Sequence, residues 1–216
     1  MLDYQISSAT EMEQVIREVG IIPFIKDAIP GYSIQEMTKQ GYWVGGDEDP
    51  LGPWDWKIDC ILSGDIAYGK FLCGGKAAFA TIPFYRELAN VRRNTTEPDE
   101  DGRRIMERVQ EQGSITVKEV RSLLGVKKSA ADAAISRLMH QCRLLTGAIE
   151  RIYTGPYQTY KGWQVSTFCT PEALFESDAI MQTSHSPEES MQFLADHISK
   201  LAEGSASGKQ IRKILK

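Results

Sequence analysis

Two clusters of side chains in this sequence are candidates for binding or catalysis. The first is Gly52-Pro53-Trp54-Asp55-Trp56-Lys57-Ile58-Asp59, followed by Ala67-Tyr68-Gly69-Lys70-Phe71 and Gly74-Gly75-Lys76. Rings, cations and carboxylates packed this closely suit a nucleic acid or nucleotide. Trp54 or Trp56 could stack on a base, Lys57, Lys70 and Lys76 could hold phosphate, and Asp55 or Asp59 could act as a general base. Trp54, Asp55, Trp56 and Lys57 are thus a candidate pocket. The plainer alternative makes both tryptophans core anchors and pairs the charges on the surface, because tryptophan is mostly buried wherever it occurs. Gly74-Gly75-Lys76 lacks the G-x-x-x-x-G-K-[ST] spacing of a nucleotide loop.

The second cluster is a basic block hidden in an acidic chain. The 216 residues carry a net charge of −4, yet residues 103 to 163 hold 11 Lys and Arg against 5 Asp and Glu, a net of +6. Residues 1 to 102 hold 9 against 17 (−8), and residues 164 to 216 hold 5 against 7 (−2). One segment facing phosphates while the rest keeps the chain soluble would produce this partition. Lys127, Lys128, Ser129, Arg137, His140, Arg143, Arg151 and Lys161 are its candidate DNA-binding residues.

Other chemistries find little support. The four cysteines and three histidines are scattered without a C-x-x-C pair, so neither a metal site nor a disulfide framework is expected, and the compartment reads as reducing cytoplasm. No G-x-S-x-G or dinucleotide fingerprint occurs, and no cofactor is implied. No apolar run approaches the roughly 20 residues needed to cross a bilayer, and MLDYQISSATEMEQ lacks the regions of a secretion signal, so no membrane role is expected.

Four parts are expected to position these residues. An amino-terminal α+β domain, 1–93, would begin with a helix capped by Ser7 or Ser8, striped by Met12, Val15, Ile16 and Val19, and stopped by Gly20. A long loop from Pro30 to Pro53 leads to an antiparallel meander of Lys57 to Leu62, Ile66 to Leu72 and Ala77 to Ile82, then to a helix from Pro83 to Arg93. Residues 94–102 read as an acidic linker and 171–216 as a helical extension. In the extension, Met191, Leu194, Ile198 and Leu201 make a helix face that would pack on its own chain or form a homodimer, and Lys209, Arg212, Lys213 and Lys216 make a basic end.

Residues 103–170 carry the most specific pattern. Ile105, Met106 and Val109 mark one helix, and Thr116 with Glu119 forms a capping box for a second, ended by Gly125-Val126. Ser129 with Asp132 repeats the cap spacing before a third helix, whose buried side is Ala134, Ile135, Leu138, Met139 and Cys142. Leu144 and Leu145 lead into Ala148 to Tyr153, a turn at Gly155-Pro156-Tyr157, and a return over Gly162 to Phe168. This segment resembles the winged helix-turn-helix family. The resemblance implies a third helix in a major groove of double-stranded DNA, phosphates near Lys127, Lys128 and Ser129, and a wing touching backbone. Arg137 would read a guanine edge or bind phosphate.

Combined with the Trp54 to Lys57 block, the chain resembles bacterial proteins related to the alkylpurine and crosslink-unhooking DNA glycosylases. Those enzymes carry a Gln-x-Gln motif that positions water at a flipped nucleotide. The only such spacing here, Gln110-Glu111-Gln112, ends a helix and has an acid in the middle, so a catalytic motif is not recognisable. The expectation is a DNA-binding protein, a transcriptional regulator or a DNA-repair-related protein. The alternatives are a glycosylase-like or nucleotide-processing enzyme near Trp54 to Lys57, and a protein-interaction module whose basic third helix is covered.

Overall fold

A computed structural model describes residues 4–43, 48–176 and 181–216. Parts of the expected loop 30–53 and of the expected extension 171–216 lie outside the described residues. The fold is α+β, with two three-stranded antiparallel sheets of order β1-β3-β2 and β4-β6-β5. Helix α1 (Ala9–Val19) forms because Ser8 accepts from the Glu11 N–H, and Met12, Val15, Ile16 and Val19 turn to the core. Strand β1 (Ile21–Pro23) follows at once. A short α2 (Ile34–Met37) then leads to α3 (Gly52–Leu62). Strands β2 (Ile66–Leu72) and β3 (Lys76–Thr81) form a hairpin, and β1 completes the sheet by pairing with β3.

This corrects the expected meander. Lys57 to Leu62 is the second half of α3, and the third strand is β1. The buried side chains Pro53, Trp56, Lys57, Cys60 and Ile61 recur at three- and four-residue spacing, a helical period, and Pro53 sits in the first turn where its missing N–H costs nothing. Gly52 sets where α3 begins. Its φ is +40°, and a Cβ there would stand 1.7 Å from the Tyr42 carbonyl oxygen.

Helix α4 (Ile82–Thr95) is separated from α5 (Glu100–Gln112) by residues 96–99 alone, since Asp99 caps α5 by accepting from the Gly102 N–H at 2.8 Å. Strand β4 (Ile115–Thr116) precedes α6 (Val117–Leu124), which carries the Thr116–Glu119 capping box and ends on left-handed Gly125. Helix α7 (Lys128–His140) differs from expectation. Lys127 occupies its cap position without a side-chain bond, so Ser129 lies inside the first turn and Arg143 beyond the end. Strands β5 (Leu145–Thr154) and β6 (Thr159–Cys169) follow, and β6 also pairs with β4.

Two main cores, and a small cluster of Ile58, Ile61 and Ile149 between α3 and β5, hold these elements. Ile105, Val109, Val120, Ile135, Leu138 and Leu144 pack together inside the three-helix part. The larger core gathers α1, the first sheet and α4, and it also takes in Cys142 and Leu145. The neighbours Leu144 and Leu145 therefore point into different cores. Strand β2 lies against α7 and β5, and α3 against β5. After α8 (Pro171–Leu174), α9 (Pro187–Leu201) buries Leu194 and Ile198 against α4, where Phe193 stacks on Phe84. Of the two expected uses of this apolar stripe, packing on its own chain and pairing with a second copy, the first is the one the structure forms. Helix α10 (Gly208–Ile214) buries Ile211 and Ile214, so the basic end is docked.

Candidate nucleic-acid interface

Four exposed cations line one groove. Its volume is about 600 Å³, and it runs between α6, the start of α7, β6 and the end of β2. Lys70, Lys118, Arg121 and Lys128 line it, with Asp132, Gln164 and Ser166 among the polar neighbours. Local sequence explains the arrangement: the capping box fixes the phase of α6, Val120 turns inward, and Lys118 and Arg121 are left outside. Lys70 crosses from the amino-terminal sheet, its Nζ donating to Ser136 Oγ on α7 at 3.1 Å. The first turn of α7 adds backbone N–H groups with no side-chain cap, a favourable position for an anion.

The sequence-derived residues divide between several places. Lys127, Lys128 and Ser129 are exposed at the start of α7, and Lys128 lines the groove. Arg137 and His140 lie towards the other end, up to about 18 Å away at 1.5 Å per residue, beside Gly74, Gly75 and Thr96. Arg137 pairs with Asp99 at 3.0 Å. His140 is half-buried, and burial followed by the nearby Arg92 charge holds its pKa below the usual imidazole value. Arg143 donates to the Thr96 carbonyl at 3.0 Å and pairs with Glu97 at 3.2 Å. Lys161 is exposed on β6, near the 71% exposed Trp163. Strand β2 occupies one flank of α7, which leaves its amino-terminal end as the accessible part facing the groove.

The Trp54 to Lys57 block is built into the junction of the two halves. Trp56 is buried and donates from Nε1 to Asp49 at 2.9 Å, while Trp54 is 40% exposed and meets the Phe24 ring edge-on. Asp55 accepts two bonds from Arg151, at 3.0 and 2.9 Å, and one from the Tyr160 hydroxyl at 2.8 Å. Burial raises its pKa, but those bonds outweigh burial and leave it below the usual carboxylate value. A carboxylate so held is a poor general base. Arg151 is likewise committed to α3.

Lys57 is only 6% exposed. Its Nζ donates to the Trp54 carbonyl and, at 2.6 Å, to Gln164 Oε1. Gln164 is itself oriented, since its Nε2 donates to the Tyr160 hydroxyl at 2.8 Å and to the Trp54 carbonyl at 3.2 Å. Among the described residues no carboxylate lies within ion-pair distance of Lys57, and burial pushes its pKa down to about 8. Lys57 also lines a cavity of about 180 Å³ with Tyr68, Lys70, Asp132, Met139 and Phe168.

Sequence reading missed Lys118, Arg121 and Gln164. The first two could have been found by extending the helical phase from the Thr116 cap. Gln164 could not, because its role depends on how β6 meets α3. Gln110-Glu111-Gln112 lies at the exposed end of α5, where Gln112 borders a depression shared with Arg108 and Lys118.

Among the described residues no helix is long and apolar enough to cross a membrane. No curated protein and no solved structure matches the chain. A family model described as AlkZ related matches residues 6–216, spanning both sheets and the carboxy-terminal helices. AlkZ is a DNA crosslink-unhooking glycosylase. By that match the chain belongs to the AlkZ-related family.

Proposed function

We propose that this is a DNA-repair-related protein that holds DNA in the basic groove between α6, α7, β6 and β2. The observation carrying this reading is the convergence of Lys70 with Lys118, Arg121 and Lys128, cations from both halves of the chain lining one channel. The order α5, β4, α6, α7, β5, β6 with its β4-β6-β5 sheet supports a winged helix-turn-helix reading of the carboxy-terminal half. With β2 against α7, contact runs through the amino-terminal end of α7, through α6 and through Lys161 on the wing, and α7 does not lie full length in a major groove. Family membership favours repair over transcriptional regulation.

Binding of this kind rests on phosphate contacts and responds to salt. Four phosphate contacts imply an affinity loss of about 100-fold for duplex DNA between 50 and 200 mM salt. Fluorescence anisotropy measures it, and a flat response rejects the reading. A glycosylase-type activity is the second reading, favoured by the cavity of about 180 Å³ beside the groove. Release of free base from alkylated DNA tests it.

A further inference from the structure

We infer that Lys57 is an amine nucleophile that forms an imine with the aldehyde of an abasic deoxyribose in DNA. The inference rests on the DNA-binding reading and adds a reaction to it.

Three observations carry it. First, the Lys57 amine has two acceptors, the Trp54 carbonyl and Gln164 Oε1, and among the described residues no carboxylate partner. Two acceptors satisfy both N–H bonds of a neutral amine and leave its lone pair over, whereas an ammonium ion would bury a charge and a third donor met only by the face of the Trp54 ring, whose centroid lies 5.6 Å from Nζ. Burial displaces the pKa in the same direction, to about 8. Second, the neighbouring carboxylate makes no hydrogen bond to the amine, because Arg151 and Tyr160 hold Asp55, and its charge offsets burial only in part. Third, the cavity beside Lys57 adjoins the basic groove. Lys70, Asp132, Ser166 and Phe168 line both, and Gln164 belongs to the groove wall. At about 180 Å³ the cavity is below the roughly 300 Å³ where small-molecule pockets begin. It suits a sugar aldehyde extending from a backbone held in the groove.

The reaction balances without an added oxidant or reductant. The Lys57 nitrogen lone pair adds to C1′ of the open-chain sugar, and the resulting carbinolamine takes up one proton from solvent and loses one water to give a protonated imine. The imine draws electrons from the C2′–H bond, and the proton leaves to water as the C3′–O bond to phosphate breaks. Water then hydrolyses the imine and returns the free amine.

Borohydride reduction traps the imine as a stable secondary amine. The intact chain is incubated with abasic-site duplex, and in parallel with 2-deoxyribose 5-phosphate, then reduced and mapped by peptide mass spectrometry. The expected result is an adduct at Lys57 from both aldehydes, with trapping rising about tenfold from pH 7 towards a plateau above pH 8, and its loss in Lys57→Met. Wild-type chain that binds abasic duplex in a salt-dependent way but yields no adduct, or one only at other amines such as Lys70, overturns the inference and leaves the DNA-binding reading standing. An adduct at Lys57 from the small aldehyde alone overturns the abasic-DNA assignment. Because the wild-type map decides each case, a misfolded Lys57→Met chain does not blur it.

Discussion

Arg151 on β5 grips both carboxylate oxygens of Asp55 on α3, at 3.0 and 2.9 Å, across the seam between the two halves of the chain. A cation expected to meet phosphate instead fixes the helix that carries Lys57. Hydrogen bonds to charged groups contribute about 1.5–3 kcal/mol each when protected from water, and partial exposure lowers that here. Asp55→Ala is therefore expected to lower unfolding free energy in urea by about 1–3 kcal/mol. Arg151→Met should cost a similar amount, and the double variant should cost less than the two together. Full additivity would show that the pair is not coupled.

Gly52→Ala tests the start of α3. The added methyl would collide with the Tyr42 carbonyl in a backbone conformation that disfavours any side chain. The expected loss is at least about 2 kcal/mol, combining strain with displacement of the loop. A melting temperature equal to that of the wild type would refute the placement of Gly52.

The groove cations should separate from the other candidates. Replacing Lys118, Arg121 and Lys128 by Ala is expected to reduce the slope of log affinity against log salt by about 2.7, with little change in thermal stability. Arg137→Ala removes a cation already paired with Asp99 and should leave the slope nearly unchanged. The reverse pattern would return the contact to the carboxy-terminal end of α7.

Acid should loosen the docking of α9. Glu87 is buried, and burial raises its pKa, but bonds from Ser190, Thr183 and His185 outweigh this and hold it below the ordinary 4.5. A carboxylate with a depressed folded-state pKa adds stability that is present above 4.5 and disappears as pH falls through the folded value. Glu87→Gln should consequently lose stability at pH 7 and show a shallower decline in melting temperature below pH 4.5. Parallel curves for the two proteins would contradict this role.

Local signals in the sequence carried much of the fold. The stripe and cap of α1, the capping box of α6, the buried side of α7 and the hairpin of β5 and β6 all arise from neighbouring residues, and all stand in the structure. The error at Lys57 to Leu62 has a physical cause: short apolar runs fit strand or helix equally, and Pro53 marked the helix start upstream. The resemblance to glycosylase relatives agrees with the family match. The site was less legible. Composition identified the Trp54 to Lys57 block, but only the meeting of α3 with β5 and β6 shows that Asp55 belongs to Arg151 and Lys57 to Gln164.

The adjacent leucines 144 and 145 give the molecule a shared fate on heating. Each peptide-linked partner is anchored in a different hydrophobic interior, so neither interior can disassemble without dragging on the other. A channel whose walls come from both sides is held by that staple together with the Arg151–Asp55 and Lys70–Ser136 contacts. Whatever lies in it meets a preformed slot and not two lobes that must first find each other.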